Sequence, residues 1–254
     1  METLRKLNLK YLDCHAGRAF LLTEFEKNVI FLLENEFIGT NVSVAVVGGS
    51  NQEPELKLLK EKFSISLKVF GIETEFSDVY LDLNEEIRTN ELRQKFDLVL
   101  CNQVLEHIWN LKSAFKVLNY LTKTSGLIWV SCPASNRVHG SPEYFSAGYM
   151  RSFLQKNLNN YGFEMISSNS IGTERLYKMT HAQQNFSWPS LRELNSPIGR
   201  TIKCLLNKNL KAQIRNVLNI PSVFQSYFWT NKKEYNSKFA TETFYLGRKV
   251  NDRV

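Results

Sequence analysis

Lys95-Phe96-Asp97-Leu98-Val99-Leu100-Cys101-Asn102-Gln103-Val104-Leu105-Glu106-His107 decides how the rest of the chain is read. Residues 96–101 form a short apolar run of the kind buried on both faces of a parallel sheet. The run passes into a polar turn and then straight into a helix, expected to continue through Leu111, Phe115, Leu118 and Leu121 at helical spacing. Ligands of open parallel sheets bind beyond the carboxyl ends of the strands. Asn102, Gln103 and His107 therefore stand where chemistry would occur, while Glu106 is expected to face solvent or pair locally.

Working outward, residues 42–47 are apolar and rich in valine and break at Gly48-Gly49-Ser50, which reads as a first buried strand and its turn. Pro54 opens a helix with Leu56, Leu59 and Phe63 on its buried side. Residues 67–72 make a second strand ending at Glu73, and residues 79–81 a third ending at Asp82. Beyond the opening stretch, residues 126–131 form a fifth strand. A long polar loop, residues 134–145, is followed by a helix over 150–158 and a sixth strand near 163–167. The last strand-like segment is 242–249. Ahead of all these, Phe20, Leu21, Phe25, Val29, Leu32, Leu33 and Phe37 recur at three- and four-residue steps, an amphipathic helix suited to cover one side of a sheet. Alternating strands and helices imply a doubly wound α/β sheet. Right-handed crossovers then bring five strand ends, at Gly48, Glu73, Asp82, Asn102 and Cys132, to one rim.

The composition is that of a globular chain: 254 residues, 43% hydrophobic and 22% charged. No run of 18 apolar residues occurs and the first residues do not resemble a secretory signal, so a soluble cytoplasmic protein is expected. Cys14, Cys101, Cys132 and Cys204 form no CxxC pair, which points away from zinc and redox motifs and towards buried thiols in a reducing compartment. The net charge of +7 is unevenly placed: residues 171–238 hold 11 Lys and Arg against 3 Glu. That segment suits an anionic partner.

The rim residues suggest a nucleotide-like ligand. Gly48 and Gly49 allow close backbone approach, although the turn lacks the G-x-G-x-x-G of dinucleotide sites. Glu73 could accept both hydroxyls of a ribose, and Asp82 could accept from an adenine amino group. Asn102 and Gln103 would line the wall between cofactor and substrate.

"FDLVLCNQVLEHI" resembles the fourth-strand motif of class I S-adenosylmethionine (SAM) methyltransferases of the small-molecule and sugar-modifying type. "YLDLNE" is similar to a variant in which the third strand follows the second closely, and "SGLIWVSCP" to the fifth strand. "HGSPEYFSAGYM" resembles the loop and helix of several glycan-associated members. The likeness covers residues 42–170 and the last strand. By position, Gly48, Gly49 and Ser50 fall on the family's glycine turn, Glu73 on the ribose acid, and Asp82 with Leu83 on the adenine side. Asn102 and Gln103 complete the cofactor-binding set. The chain departs from the family's acid–x–Gly–x–Gly–x–Gly turn: Val46 replaces the acid, Ser50 the second glycine and Gln52 the third.

The resemblance implies a mostly parallel, seven-stranded, Rossmann-like sheet whose seventh strand is antiparallel and inserted beside the sixth. It makes residues 1–254 a single methyltransferase domain with an N-terminal helical segment at 1–40. Residues 171–238 become a basic helical cap inserted before the last strand. It implies SAM as cofactor, no metal, and methyl transfer to a hydroxyl of a sugar, nucleotide-sugar or glycan. The basic cap fits a phosphate-bearing acceptor. A hydroxyl acceptor calls for a general base, and histidine is matched to neutral pH; His107 and His139 are the candidates. Two other readings are a nucleic-acid methyltransferase, which the Lys/Arg and aromatic content of the cap would suit, and a non-catalytic binding protein with an eroded glycine motif. Against the first, Asn102-Gln103-Val104-Leu105 is not the Asn/Asp-Pro-Pro-aromatic turn of amino-methylating enzymes.

Overall fold

Seven strands form one sheet in the order β3-β2-β1-β4-β5-β7-β6. The computed structural model describes residues 16–37, 41–85, 96–136, 142–172, 177 and 239–251. Nearly all of the expected cap, and His139, lie outside the described residues.

β1 (Val42–Val47) and β4 (Phe96–Asn102) are central, and their continuous apolar runs are buried on both faces. β1 pairs in parallel with β2 (Ile65–Gly71) on one side and with β4 on the other. β2 pairs with the two-residue β3 (Val79–Tyr80), and β4 with β5 (Thr122–Pro133), again in parallel. β6 (Phe163–Ile171) lies at the far edge. β7 (Glu242–Lys249) runs antiparallel to β5, from Leu127 opposite Arg248 to Pro133 opposite Glu242. The five parallel strands thus end on one rim as expected, and antiparallel β7 begins there. β5 starts four residues earlier than the sequence suggests. Its first residues pair through an irregularity between Phe96 and Leu98, and Ser125 takes a positive φ of 64°.

α1 (Ala16–Phe25) continues through a π turn (Glu26–Ile30) into α2 (Phe31–Glu36), where the apolar periodicity predicts one regular helix. α3 (Pro54–Lys62) buries Leu56, Leu58 and Leu59. Phe63 ends it in an extended conformation and is only half-buried, contrary to expectation. α4 (Leu111–Leu121) and α5 (Arg151–Asn160) cover one face of the sheet, where Phe115, Leu118, Leu154 and Leu158 join Val99, Cys101, Ile128 and Val130 in the core. On the opposite face Trp129 is fully buried between Phe25, edge-on at 5.2 Å, and Phe244, stacked at 4.8 Å. Burying a side chain of that kind is worth about 1.5–3 kcal/mol.

The helix expected directly after β4 starts later. Leu105–His107 is a single 3₁₀ turn, Ile108 is extended, and Asn110 caps α4 by accepting from Ser113 N–H at 3.3 Å. The reason is local: Asn84 Oδ1 accepts the N–H groups of Trp109 and Asn110 at 3.0 and 3.2 Å, so neither is free to continue a helix from His107.

By compactness the chain divides into two units. Leu21–Ser170 with Glu242–Val254 carries the sheet up to Ser170. The other comprises Met1–Phe20 and Ile171–Thr241. In it, Thr241 N–H donates to Ile171 O at 2.9 Å, and the rings of Tyr177 and Phe239 meet edge to face at 6.0 Å.

Candidate active site

The glycine turn is built tightly. Gly48 has φ 74°, and a Cβ there would lie 2.6 Å from Val104 Cγ1, so backbone conformation and space both require glycine. A Cβ on Gly49 would meet Glu53 Oε1 at 2.8 Å and Val46 Cγ1 at 2.9 Å. The missing side chains therefore let Val104, just past β4, press onto the end of β1. Ser50 Oγ accepts from Gln52 N–H at 3.2 Å. Among the described residues, the N–H groups of Gly49, Ser50 and Asn51 make no hydrogen bond, which leaves a row of donors before α3. An open groove of about 400 Å³ beside this turn is lined by Asn51, Gln52, Glu53, Lys57, Lys60 and Glu61.

Glu73 lies two residues beyond β2. Its carbonyl accepts from Phe76 N–H at 3.1 Å, and its carboxylate is exposed, with no partner among the described residues. Asp82, two residues beyond β3, accepts Asn84 N–H on Oδ1 at 2.8 Å, and Leu83 is buried. Asn84 fastens this loop to the cap of α4: its carbonyl accepts Asn110 Nδ2 at 2.9 Å, beside the two N–H groups its side chain holds. Ser113 Oγ adds a bond to Glu85 O. The two acidic strand ends therefore differ, Glu73 open and Asp82 fixed in a turn.

At the end of β4, Asn102 is buried, and its Oδ1 accepts from Trp129 Nε1 at 3.1 Å and Ser131 Oγ at 2.8 Å. With that orientation fixed, its Nδ2 has no acceptor among the described residues. Gln103 takes the left-handed conformation at φ 56°, unusual for a residue with a long side chain. Its N–H donates to Ser131 O at 2.8 Å, and its Nε2 to Glu242 Oε2 at 3.1 Å. Glu242, only 5% exposed at the head of β7, is a rim acid that sequence reasoning missed. Its strand was readable, but its place on the rim follows only from the pairing that sets Glu242 opposite Pro133 of β5.

His107 sits on the 3₁₀ turn, not on the helix where the sequence put it. Its Nδ1 lies 2.5 Å from Glu143 O, its Nε2 lies 3.9 Å from Glu106 Oε1, and its ring meets Tyr144 edge-on with centroids 5.7 Å apart. Glu106 is fully buried, so of the two expectations for it solvent exposure fails, while the contact with the His107 ring is the local pairing. Its carbonyl accepts the N–H groups of Phe145 and Ser146 at 2.9 and 3.2 Å. Burial, with the Glu106 charge behind it, pushes the thiols of Cys101 and Cys132 well up, so both are inert. The same two causes raise the Tyr144 phenol. Glu106 was legible only as one polar residue in an apolar motif.

The structure thus joins Gly48 to the β4 turn, Asp82 to the α4 cap, Gln103 to β7 and His107 to the loop after β5. Among the described residues no cluster of three His, Cys, Asp or Glu is placed to hold a metal, and no helix is long and apolar enough to cross a membrane.

No family model and no curated protein matches the chain. Solved structures do. A SAM-dependent methyltransferase from Archaeoglobus fulgidus is similar at 15% identity and a TM-score of 0.50, over 92% of this chain and 95% of that one. The CurJ carbon methyltransferase gives 10% identity and 0.55, over 96% of this chain and 57% of that longer one. The [4+2]-cyclase SpnF gives 12% and 0.51, over 88% and 81%. At such identities the likeness is one of fold: the chain has the class I SAM-dependent methyltransferase fold, a mostly parallel seven-stranded sheet with flanking helices.

Proposed function

We propose that this chain, built on that fold, is a SAM-dependent methyltransferase whose acceptor is a hydroxyl of a sugar, nucleotide-sugar or glycan. The observation that carries the cofactor reading is the exposed carboxylate of Glu73 on the same rim as the N–H groups of residues 49–51, none of which has a partner among the described residues. A nucleoside needs both kinds of group, an acceptor for its ribose hydroxyls and donors for its anionic or carbonyl end.

When bound, SAM supplies a methyl group activated on a sulfonium. The chain's own residues would hold and orient. Glu73 accepts from the ribose, Asp82 and Leu83 form the adenine side, and Asn102 and Gln103 form the wall toward the acceptor. Gly48, Gly49 and Ser50 bring the backbone close. Holding two reactants in line is the larger part of such catalysis. A hydroxyl acceptor also has a proton to lose, and His107 and His139 are the imidazoles available in this part of the sequence. The acceptor class rests on the polar loop after β5, and the excess of 8 positive charges over residues 171–238 favours a phosphate-bearing one.

Calorimetric titration with SAM and S-adenosylhomocysteine tests the cofactor. Glu73→Ala is expected to weaken binding by at least about tenfold, since hydrogen bonds to charged groups are worth about 1.5–3 kcal/mol. No binding by the unaltered chain at millimolar cofactor would sink the enzyme reading. Labelled SAM offered with nucleotide-sugar, glycan and RNA pools then separates the acceptor classes.

A further inference from the structure

We infer that His107 is a positioning residue, a latch that holds the loop Pro142–Tyr149 against the end of β4, together with the backbone carbonyl of Glu106. The contacts come from both sides of the ring. A backbone carbonyl can only accept, so Nδ1, 2.5 Å from Glu143 O, carries a hydrogen and donates it. Nε2 faces Glu106 Oε1 at 3.9 Å. A general base must present an unshared nitrogen pair to its substrate. Here one nitrogen is spent on the loop and the other is turned to a buried carboxylate.

The loop is bound to the same turn by further contacts. Phe145 and Ser146 donate to the carbonyl of Glu106, and Tyr144 packs edge-on against the imidazole. One end of the segment is also tied to β5, where Tyr149 N–H donates to Pro133 O at 2.8 Å. His107 and Glu106 together thus fix where residues 142–149 lie, and this loop follows β5 directly into the rim. Several of the groups facing the pair are among the described residues. On the His107 side they are Glu143, through its carbonyl, and Tyr144. On the Glu106 side they are Cys101 of β4, Cys132 of β5, Tyr144 and Tyr149, with thiols and phenols held neutral at pH 7.

The proposal leans on the methyltransferase reading only for its activity arm. Asparagine can place an amide N–H where Nδ1–H stands but cannot titrate; alanine can do neither. In the full chain, nitrogen-detected NMR should find His107 protonated at Nδ1 at pH 7. Hydrogen exchange at Phe145 and Ser146 should run about five- to tenfold faster in His107→Ala, the equivalent of one lost hydrogen bond, and at the native rate in His107→Asn. Methyl transfer, once an acceptor is known, should fall further in His107→Ala than in His107→Asn. An Nε2–H tautomer, or equal loop exchange in the two variants, overturns the latch. Equal loss of turnover in both variants with native exchange makes His107 a base instead. Absence of any turnover by the unaltered chain is a failure of the methyltransferase reading alone, because tautomer and exchange are read without cofactor.

Discussion

The two ends of the sheet are made of the same strands and treat polar groups in opposite ways. At the amino end of the parallel strands most polar groups pair with one another, although the buried Oδ1 atoms of Asn119 and Asn251 have no partner among the described residues. Asp97 accepts from the N–H and hydroxyl of Ser43 and from Lys123 at 2.8 Å. Buried Lys249 donates to the carbonyls of Asn119 and Thr122 at 2.8 and 3.1 Å, closing the last turn of α4 with a cation, as helix C-termini favour. At the carboxyl end, among the described residues, Glu73 has no partner and Asn102 Nδ2 no acceptor, Gln103 is strained, and Glu106 and Glu242 are buried acids. Strain and spare hydrogen-bonding capacity persist only where surrounding structure enforces them, and they gather where ligands bind. The fold thus has one nearly finished end and one, the rim, with more of its hydrogen-bonding capacity unspent.

The largest expected effect at the rim comes from Gly48→Ala. A left-handed conformation costs a non-glycine residue about 1–2 kcal/mol, and a Cβ forced against Val104 adds about 1–3 kcal/mol of overpacking. Urea denaturation should therefore show a loss of about 3 kcal/mol. The double variant with Val104→Ala should recover the overlap but not the backbone term, a coupling of about 1 kcal/mol or more. Strict additivity would mean that the first and fourth strand ends are not pressed together.

At the finished end, Asp97→Asn should cost about 1–2 kcal/mol. Most of that belongs to Ser43, because Lys123 is 42% exposed and its ion pair is screened. Burial would raise the Asp97 carboxyl, but the hydrogen bonds from Lys123 and Ser43 outweigh it and hold the carboxyl below its ordinary range. A depressed carboxyl contributes stability above its unfolded pKa of about 3.9, and that contribution is lost as pH falls through the lower folded value. Denaturation midpoints of the native chain should thus drop more steeply than those of Asp97→Asn below about pH 4. Parallel curves would show that the triad is not what closes this end.

The finished end and the rim were not equally legible in the sequence. Apolar runs at 42–47 and 96–101 reveal central strands because burial on both faces leaves no other composition. Glu73 and Asp82 were legible as rim acids because each follows a strand within two residues. Glu106 and Glu242 were not. The first looks like an exposed residue of a helix that Asn110 and Asn84 in fact delay, and the second belongs to the rim only through a pairing more than a hundred residues away in sequence. The same holds for Asp97 and Ser43, which sit 54 positions apart. What local spacing carries can be read directly; what long-range pairing brings together cannot.

The smallest effects give the sharpest form of the comparison, because each end holds one strained residue of similar backbone. Gln103 has φ 56° at the rim, and Ser125 has φ 64° at the finished end, exposed, with its carbonyl accepting Arg248 at 2.9 Å. Glycine relieves about 1–2 kcal/mol of left-handed strain but gives back about 0.5–1 kcal/mol in chain entropy, so either replacement should leave stability unchanged or raise it by at most about 1 kcal/mol. The two should differ in ligand binding. Ser125→Gly keeps its backbone bond and should bind SAM as the native chain does. Gln103→Gly removes the side chain that donates to Glu242 and should weaken cofactor binding without unfolding the protein. If both variants bind alike, the strain at Gln103 is only a turn that β4 needed. If only the rim variant suffers, that strain is part of the site.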